Sequence, residues 1–195
     1  MTFRQKFLNT MYPAFMRLAK ITKKNTSSLS NPKTIPPVSF YSLQGIKNDG
    51  SVFDCYLLKG KKVLLVNTAS DCGYTKQYTG LEKLYERYKN KLAVIAFPAN
   101  DFKEQEKEDD TEIEKFCTVN YGVTFPLMKK SSVVKGPSQN EIFQWITDAA
   151  KNGWNSRQPE WNFSKYIIDE EGKLTHYFGS TVDPLGKEIM DAITN

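Results

Sequence analysis

The sequence predicts an α/β protein with a central mixed sheet flanked by helices and an added N-terminal β-hairpin. Two apolar runs, residues 63–66 (VLLV) and 92–97 (LAVIAF), have the unbroken hydrophobicity of strands buried on both faces. Between them Leu81, Leu84, Tyr85 and Tyr88 recur at i, i+3, i+4 and i+7, which predicts an amphipathic helix over about residues 75–89 and hence a β-α-β unit. Toward the C-terminus, residues 165–168 (KYII) and 173–179 (KLTHYFG) flank a tight turn and read as an antiparallel pair.

The other elements follow in chain order. In residues 1–24, Phe3, Phe7, Met11, Phe15 and Leu18 fall at intervals of three and four, predicting a basic amphipathic helix interrupted near Pro13. Three readings of this leader stand open: it packs on the domain, lies on a membrane surface, or is a targeting segment. It lacks the compact apolar core of a secretory signal. Residues 25–37 (NTSSLSNPKTIPP) read as linker, which places a basic extension at 1–36 and one domain at 37–195. The segments VSFYSL and SVFDCYLL alternate about an NDG turn and predict a hairpin, with Cys55 as a strand residue without chemistry. After residue 97 come PAN and a charged loop. A helix capped by Asp110 or Thr111 then carries Ile113, Phe116, Cys117 and Tyr121. A further helix is expected over 140–150, and a last one from Pro184 to Thr194.

Charge and cysteine usage narrow the function classes. At 195 residues the chain is long enough to bury a substantial core, and no apolar run approaches the ~20 residues of a membrane span. Eight of the 27 bases and none of the 22 acids lie in residues 1–48, so the net charge of +5 belongs to the leader and the remainder is slightly acidic. A basic nucleic-acid groove in the main domain is therefore disfavoured. Cys55, Cys72 and Cys117 are odd in number and widely spaced, which fits neither a disulfide framework nor a zinc ribbon. Unpaired thiols suit a reducing compartment, so the cytoplasm is the expected location; an organelle or a membrane surface, reached through the basic extension, is the alternative. A lone histidine, His176, reads as a half-exposed strand residue and rules out a histidine-rich metal site.

Cys72 is the residue around which chemistry gathers. It stands where a buried strand gives way to a helix, at the carboxyl end of a strand, where open sheets collect ligands and reactive groups. Free N–H groups and the positive end of the helix dipole would favour a thiolate there. Such a thiolate needs donors that cannot take its proton, and the indole N–H of Trp161 and the amides of Asn162 and Gln105 are of that kind.

NTASDCGYT, FPANDFKEQE, FCTVNYGVTFPL and WNFSKYIID, in that order, resemble the successive motifs of the glutathione peroxidase family, from about Pro37 to the C-terminus. The resemblance implies a thioredoxin-like fold and a catalytic tetrad of Cys72, Gln105, Trp161 and Asn162, with cysteine where some members carry selenocysteine. It implies a thiol peroxidase acting on hydrogen peroxide and on organic or lipid hydroperoxides through a Cys72 sulfenic acid. Cys117 stands where cysteine-type members carry their resolving residue, implying a Cys72–Cys117 disulfide recycled by an external thiol, thioredoxin or glutathione, without metal or bound cofactor. The chain departs from the family pattern at Ala99, Asp101 and Lys107, where a cysteine, a glutamine and a proline are usual. The long insertion of tetrameric members is missing, so a monomer is expected. A redox sensor relaying oxidation to a partner protein is the alternative function. A thiol-disulfide exchanger is disfavoured because Cys72 is followed by Gly73, Tyr74 and Thr75 rather than C-x-x-C.

Overall fold

The computed structural model describes residues 1–22 and 27–194. The last two residues of the expected leader helix and the first two of the expected linker lie outside the described residues. The leader forms one helix, α1 (Phe3–Thr22), that runs through Pro13 without interruption. Proline removes one intrahelical hydrogen bond. Contacts on both sides of it hold the helix on course: Asn9 Nδ2 donates to the Tyr121 hydroxyl at 2.8 Å, and Met16 and Ala19 are buried.

The segment expected as linker supplies a strand, β1 (Ser28–Ser30), paired antiparallel with residues 176–178. A hairpin follows, β2 (Gln44–Ile46) against β3 (Val52–Asp54), as a separate two-stranded sheet. Its strands are shorter than the sequence predicts, because two side chains cap competing turns. Ser39 Oγ accepts from Tyr41 N–H at 3.2 Å, and Asp54 Oδ1 accepts from Tyr56 N–H at 2.9 Å. Residues 40–42 and 55–58 are therefore single 3-10 turns, and Cys55 opens the second of these instead of lying in a strand.

Next come β4 (Lys62–Thr68), α2 (Gln77–Tyr88) and β5 (Leu92–Pro98), the predicted parallel unit, in register from Lys62 opposite Leu92 to Thr68 opposite Pro98. Every residue of β4 is buried. Helix α3 (Asp110–Tyr121) is capped by Asp109, not by Asp110 or Thr111. The Asp109 carboxylate accepts from Glu112 N–H at 3.0 Å, while that of Asp110 takes Lys130 N–H at 2.6 Å. The expected helix over 140–150 is two helices, α4 (Glu141–Ile146) and α5 (Ala149–Asn152). The break falls where Thr147 Oγ1 donates to the Phe143 carbonyl at 2.7 Å and Asp148 caps a new helix through Ala150 N–H at 3.0 Å. Strands β6 (Lys165–Ile168) and β7 (Leu174–Phe178) form the late hairpin, and α6 (Lys187–Thr194) starts three residues beyond Pro184.

Among the described residues the main sheet has the order β1-β7-β6-β4-β5, parallel only between β4 and β5. Side chains alternate across it as strand geometry requires. Leu64, Val66, Val94 and Ala96 face one core with Leu81, Leu84, Ile113 and Ile189; Val63, Leu65, Ile95 and Phe97 face the other with Phe143, Trp145 and Ile146. The site lies at the carboxyl ends of β4 and β5.

Candidate active site

Past Thr68 the chain leaves β4 in a compact turn that Thr75 ties together. The Thr75 hydroxyl accepts from Cys72 N–H at 3.1 Å and lies 2.9 and 2.8 Å from the carbonyls of Ala69 and Cys72. This pulls Cys72 into the first core, where it is 1% exposed, and sets Tyr74 N–H to donate to Sγ at 3.5 Å. Helix α2 begins only at Gln77, so the turn amide of Tyr74, not the helix terminus, is the backbone donor at the sulfur.

Two loops bring the remaining side chains. Asn67, a buried polar residue near the end of β4, holds the first: its Nδ2 donates to the Trp161 carbonyl at 3.1 Å, and its carbonyl and Oδ1 accept from Phe163 and Ser164 N–H at 2.6 and 3.0 Å. Between them Phe163 takes a left-handed conformation with φ of 67°. Non-glycine residues adopt that region at a cost, which the Asn67 clamp offsets. Trp161 and Asn162 thereby direct their side-chain N–H groups to Cys72 Sγ. The second loop carries Gln105 after two left-handed residues, Lys103 and Glu104, with φ of 53° and 51°. Its backbone carbonyl accepts from Asp71 N–H at 3.0 Å, and its Oε1 accepts from Asn162 Nδ2 at 3.0 Å. Cys72, Trp161 and Asn162 thus meet directly, and Gln105 joins them through Asn162. The sequence reading assigned Gln105 a bond to the sulfur; in the structure its recorded side-chain bond is to Asn162.

Burial decides the charge state of the thiol. Desolvation pushes the Cys72 pKa up to about 11, against the opposing pull of Tyr74 N–H, Trp161 and Asn162. The resting group is a thiol, which corrects the expectation of a resting thiolate. Water is excluded too well for three donors to compensate. Cys117, on the core-facing side of α3 beside Tyr78, is pushed up to about 12, again by burial. Cys55 reaches about 12 for the same reason and belongs to the opposite core. All three are free thiols. Glu106, next to Gln105, is fully buried and raised to about 7 by desolvation, with its Oε2 3.1 Å from Ser70 Oγ.

Beside the Cys72 turn lies a cleft of about 420 Å³, lined by Gly73, Tyr74, Lys103, Gln105 and Trp161 together with Leu8 and Phe15 of α1; Cys72 itself is buried behind this lining. The leader therefore packs on the domain, directly over the candidate site. Arg4 forms an ion pair with Asp71, the residue before Cys72, and Tyr12 bonds to Gln77 at the start of α2. Asn67, Thr75, Glu106 and the inward face of α1 were not singled out from the sequence. A polar residue inside an otherwise apolar strand was the one available signal, at Asn67. No group of three or more His, Cys, Asp or Glu among the described residues could hold a metal ion, and no described helix is long and apolar enough to cross a membrane.

Comparison with known proteins gives the family and the fold. The glutathione peroxidase family model matches residues 40–147. Glutathione peroxidase-like peroxiredoxin HYR1 of Saccharomyces cerevisiae is 42% identical over 146 residues, covering 74% of this chain and 89% of that protein. A glutathione peroxidase of Lactococcus lactis is 40% identical over 148 residues, covering 75% and 93%. Among solved structures, Trgpx in apo form superposes with a TM-score of 0.61 at 32% identity, covering 82% of this chain and 97% of that one. A thioredoxin family protein from Chlorobium tepidum, 18% identical with a TM-score of 0.56 and coverage of 84% and 96%, shares the fold alone. The fold is thioredoxin-like, the enzyme class is peroxidase, and the chain belongs to the glutathione peroxidase family as a member of cysteine type.

Proposed function

We propose that the protein reduces hydroperoxides with Cys72 as the attacking group and an external dithiol of the thioredoxin kind as electron donor. The observation that carries this is the convergence of three N–H donors, from Tyr74, Trp161 and Asn162, on one buried sulfur whose neighbours Gly73, Tyr74, Gln105 and Trp161 line a cleft. A hydroperoxide entering the cleft presents its terminal oxygen to Sγ. The S–O bond forms as the O–O bond breaks, the departing oxygen leaves as water or alcohol carrying the thiol's proton, and Cys72 becomes a sulfenic acid, oxidised by two electrons. Tyr74 N–H and the side chains of Trp161 and Asn162 stabilise negative charge on sulfur during the transfer, and Gln105 holds the Asn162 amide in place.

In the second half of the cycle Cys117 Sγ attacks the Cys72 sulfur, expels water and forms a disulfide. The donor dithiol then reduces that bond by exchange and is itself oxidised. Both cysteines border the same core, which favours Cys117 over Cys55 as the partner. The test is an NADPH-coupled assay with hydrogen peroxide, comparing the thioredoxin system with glutathione. Thioredoxin-supported turnover that is lost in Cys117→Ser agrees with the proposal. If the variant keeps that turnover, the resolving role is wrong. Oxidation of Cys72 without turnover under either reductant would leave the redox-sensor alternative in its place.

A further inference from the structure

Helix α1 carries two faces at helical spacing. One, made of Leu8, Tyr12, Phe15, Met16 and Ala19, is turned to the domain and is wholly or partly buried. The other is apolar and points away from it. Phe3, Phe7, Met11, Ala14 and Ile21 succeed one another at intervals of three, four or seven, one stripe on a helix of 3.6 residues per turn. Phe3 is 88%, Phe7 54% and Ile21 79% exposed. A helix that packs on a domain normally turns its most apolar stripe inward. Here the inward face is anchored in part by polar contacts, Arg4 to Asp71 and Asn9 to Tyr121, while the aromatic and aliphatic stripe is left to solvent.

The charges beside the stripe indicate what it meets. Lys6 and Arg17 flank it, both exposed, and the first 48 residues contain no acid. An apolar stripe bordered by bases, on a helix too polar to span a bilayer, is the pattern of a helix lying in an anionic lipid interface, where apolar side chains enter the acyl boundary and bases meet the headgroups. We infer that α1 docks the protein on an anionic membrane surface through Phe3, Phe7, Met11 and Ile21, flanked by Lys6 and Arg17. Its opposite face lines the Cys72 cleft, so docking holds the cleft mouth within about one helix diameter, roughly 10 Å, of the headgroups.

The measurement is co-sedimentation of the full-length chain with vesicles of phosphatidylcholine alone or with phosphatidylglycerol, and it reads binding independently of peroxidase activity. Binding is expected to the mixed vesicles, weakening as salt rises, and to be at least about tenfold weaker for the Phe3→Ser, Phe7→Ser double variant with its circular dichroism unchanged. Lys6→Glu with Arg17→Glu should weaken it as well. If the double variant does not fold, a blue shift in the tryptophan emission of Phe7→Trp, measured against the parent chain on adding mixed vesicles, gives the same information. The inference is overturned if the chain stays in the supernatant with mixed vesicles, if the serine variant binds as well as the parent, or if the emission of the Phe7→Trp variant does not move. Reversible self-association in the absence of lipid, abolished by the same serines, would assign the stripe to a second copy and likewise overturn it.

Discussion

Deleting residues 1–26 should acidify Cys72. Its thiol is held at about 11 chiefly by burial, and Leu8 and Phe15 of α1 line the cleft beside it. The deletion keeps β1, which begins at Ser28, and so leaves the main sheet intact. With water admitted, the desolvation contribution shrinks while the donors Tyr74 N–H, Trp161 and Asn162 remain, so the pKa moves toward the ordinary thiol value of 9.0. At pH 7 the thiolate fraction is ~10⁻⁴ for a pKa of about 11 and ~10⁻² for 9.0, so complete relief is worth about 100-fold in reactive form. The assay is the pH dependence of iodoacetamide alkylation, with the modified residue identified by mass spectrometry. Cys55 and Cys117, both pushed up to about 12, remain slow and do not confuse the reading. In the intact chain the alkylation rate should climb about tenfold per pH unit without a plateau below pH 10. In the truncated chain the plateau should come earlier. An unshifted profile in a folded truncated chain would show that α1 is not what keeps Cys72 dry, and the reasoning would fail.

Three other outcomes follow from the same contacts. Asn162→Ala removes a donor to Sγ and the tie to Gln105, and should lower the rate constant for peroxide oxidation by about 10²-fold; Gln105→Ala should cost less, and the double variant no more than Asn162→Ala alone, as stopped-flow fluorescence can establish. Glu106→Gln should alter the pH dependence of stability. The raised folded pKa of about 7 means that the folded state binds more protons than the unfolded one between about 4.5 and 7, so the parent loses stability as pH rises through that window, by up to about 3 kcal/mol, and the glutamine variant does not; urea melts at pH 5 and 7 compare the two. Lys165, fully buried with its pKa lowered to about 7, acts in the opposite direction: the unfolded chain holds the extra proton from about pH 7 to 10.5, so stability should rise over that range and Lys165→Met should flatten the rise.

The sheet was legible because its signals are local. Residues 63–66 and 92–97 are uniformly apolar, and a strand covered on both faces needs no other pattern; the same reading found β6 to the residue. Errors fell where a single polar side chain outweighed periodicity. Asp54 ended β3 before Cys55, Asp109 displaced the expected cap of α3, and Thr147 with Asp148 divided one helix into two. Strand β1 was hidden because Ser28, Leu29 and Ser30 carry no strand pattern of their own; their hydrogen bonds come from the exposed edge of β7. The position of α1 could not be read at all, since its docking depends on Asp71, Gln77 and Tyr121, which are far apart in sequence and meet only in the folded domain.

Histidine takes no part in setting the charge state of Cys72. His176 lies on β7 and lines a cavity with Lys62, at the amino end of β4, whereas Cys72 follows the carboxyl end of that strand. Seven residues of strand separate those ends by roughly 20 Å, too far for proton exchange with the sulfur. A reactive thiol without a neighbouring histidine can still be activated by donors that bind its charged form better than its neutral form. Tyr74 N–H, Trp161 and Asn162 do that in this site, yet burial keeps the ground state protonated. The same three donors gain strength in a dry site as charge develops on sulfur, because low polarity magnifies each of them. A pKa near 11 is therefore compatible with fast chemistry toward a substrate whose own departing oxygen accepts the proton, and it leaves the thiol slow at neutral pH toward electrophiles that offer no such acceptor. Selectivity for hydroperoxides over other electrophiles should then track the dryness of the site, and truncation of α1, whose Leu8 and Phe15 line the cleft, should erode it in competition between hydrogen peroxide and iodoacetamide.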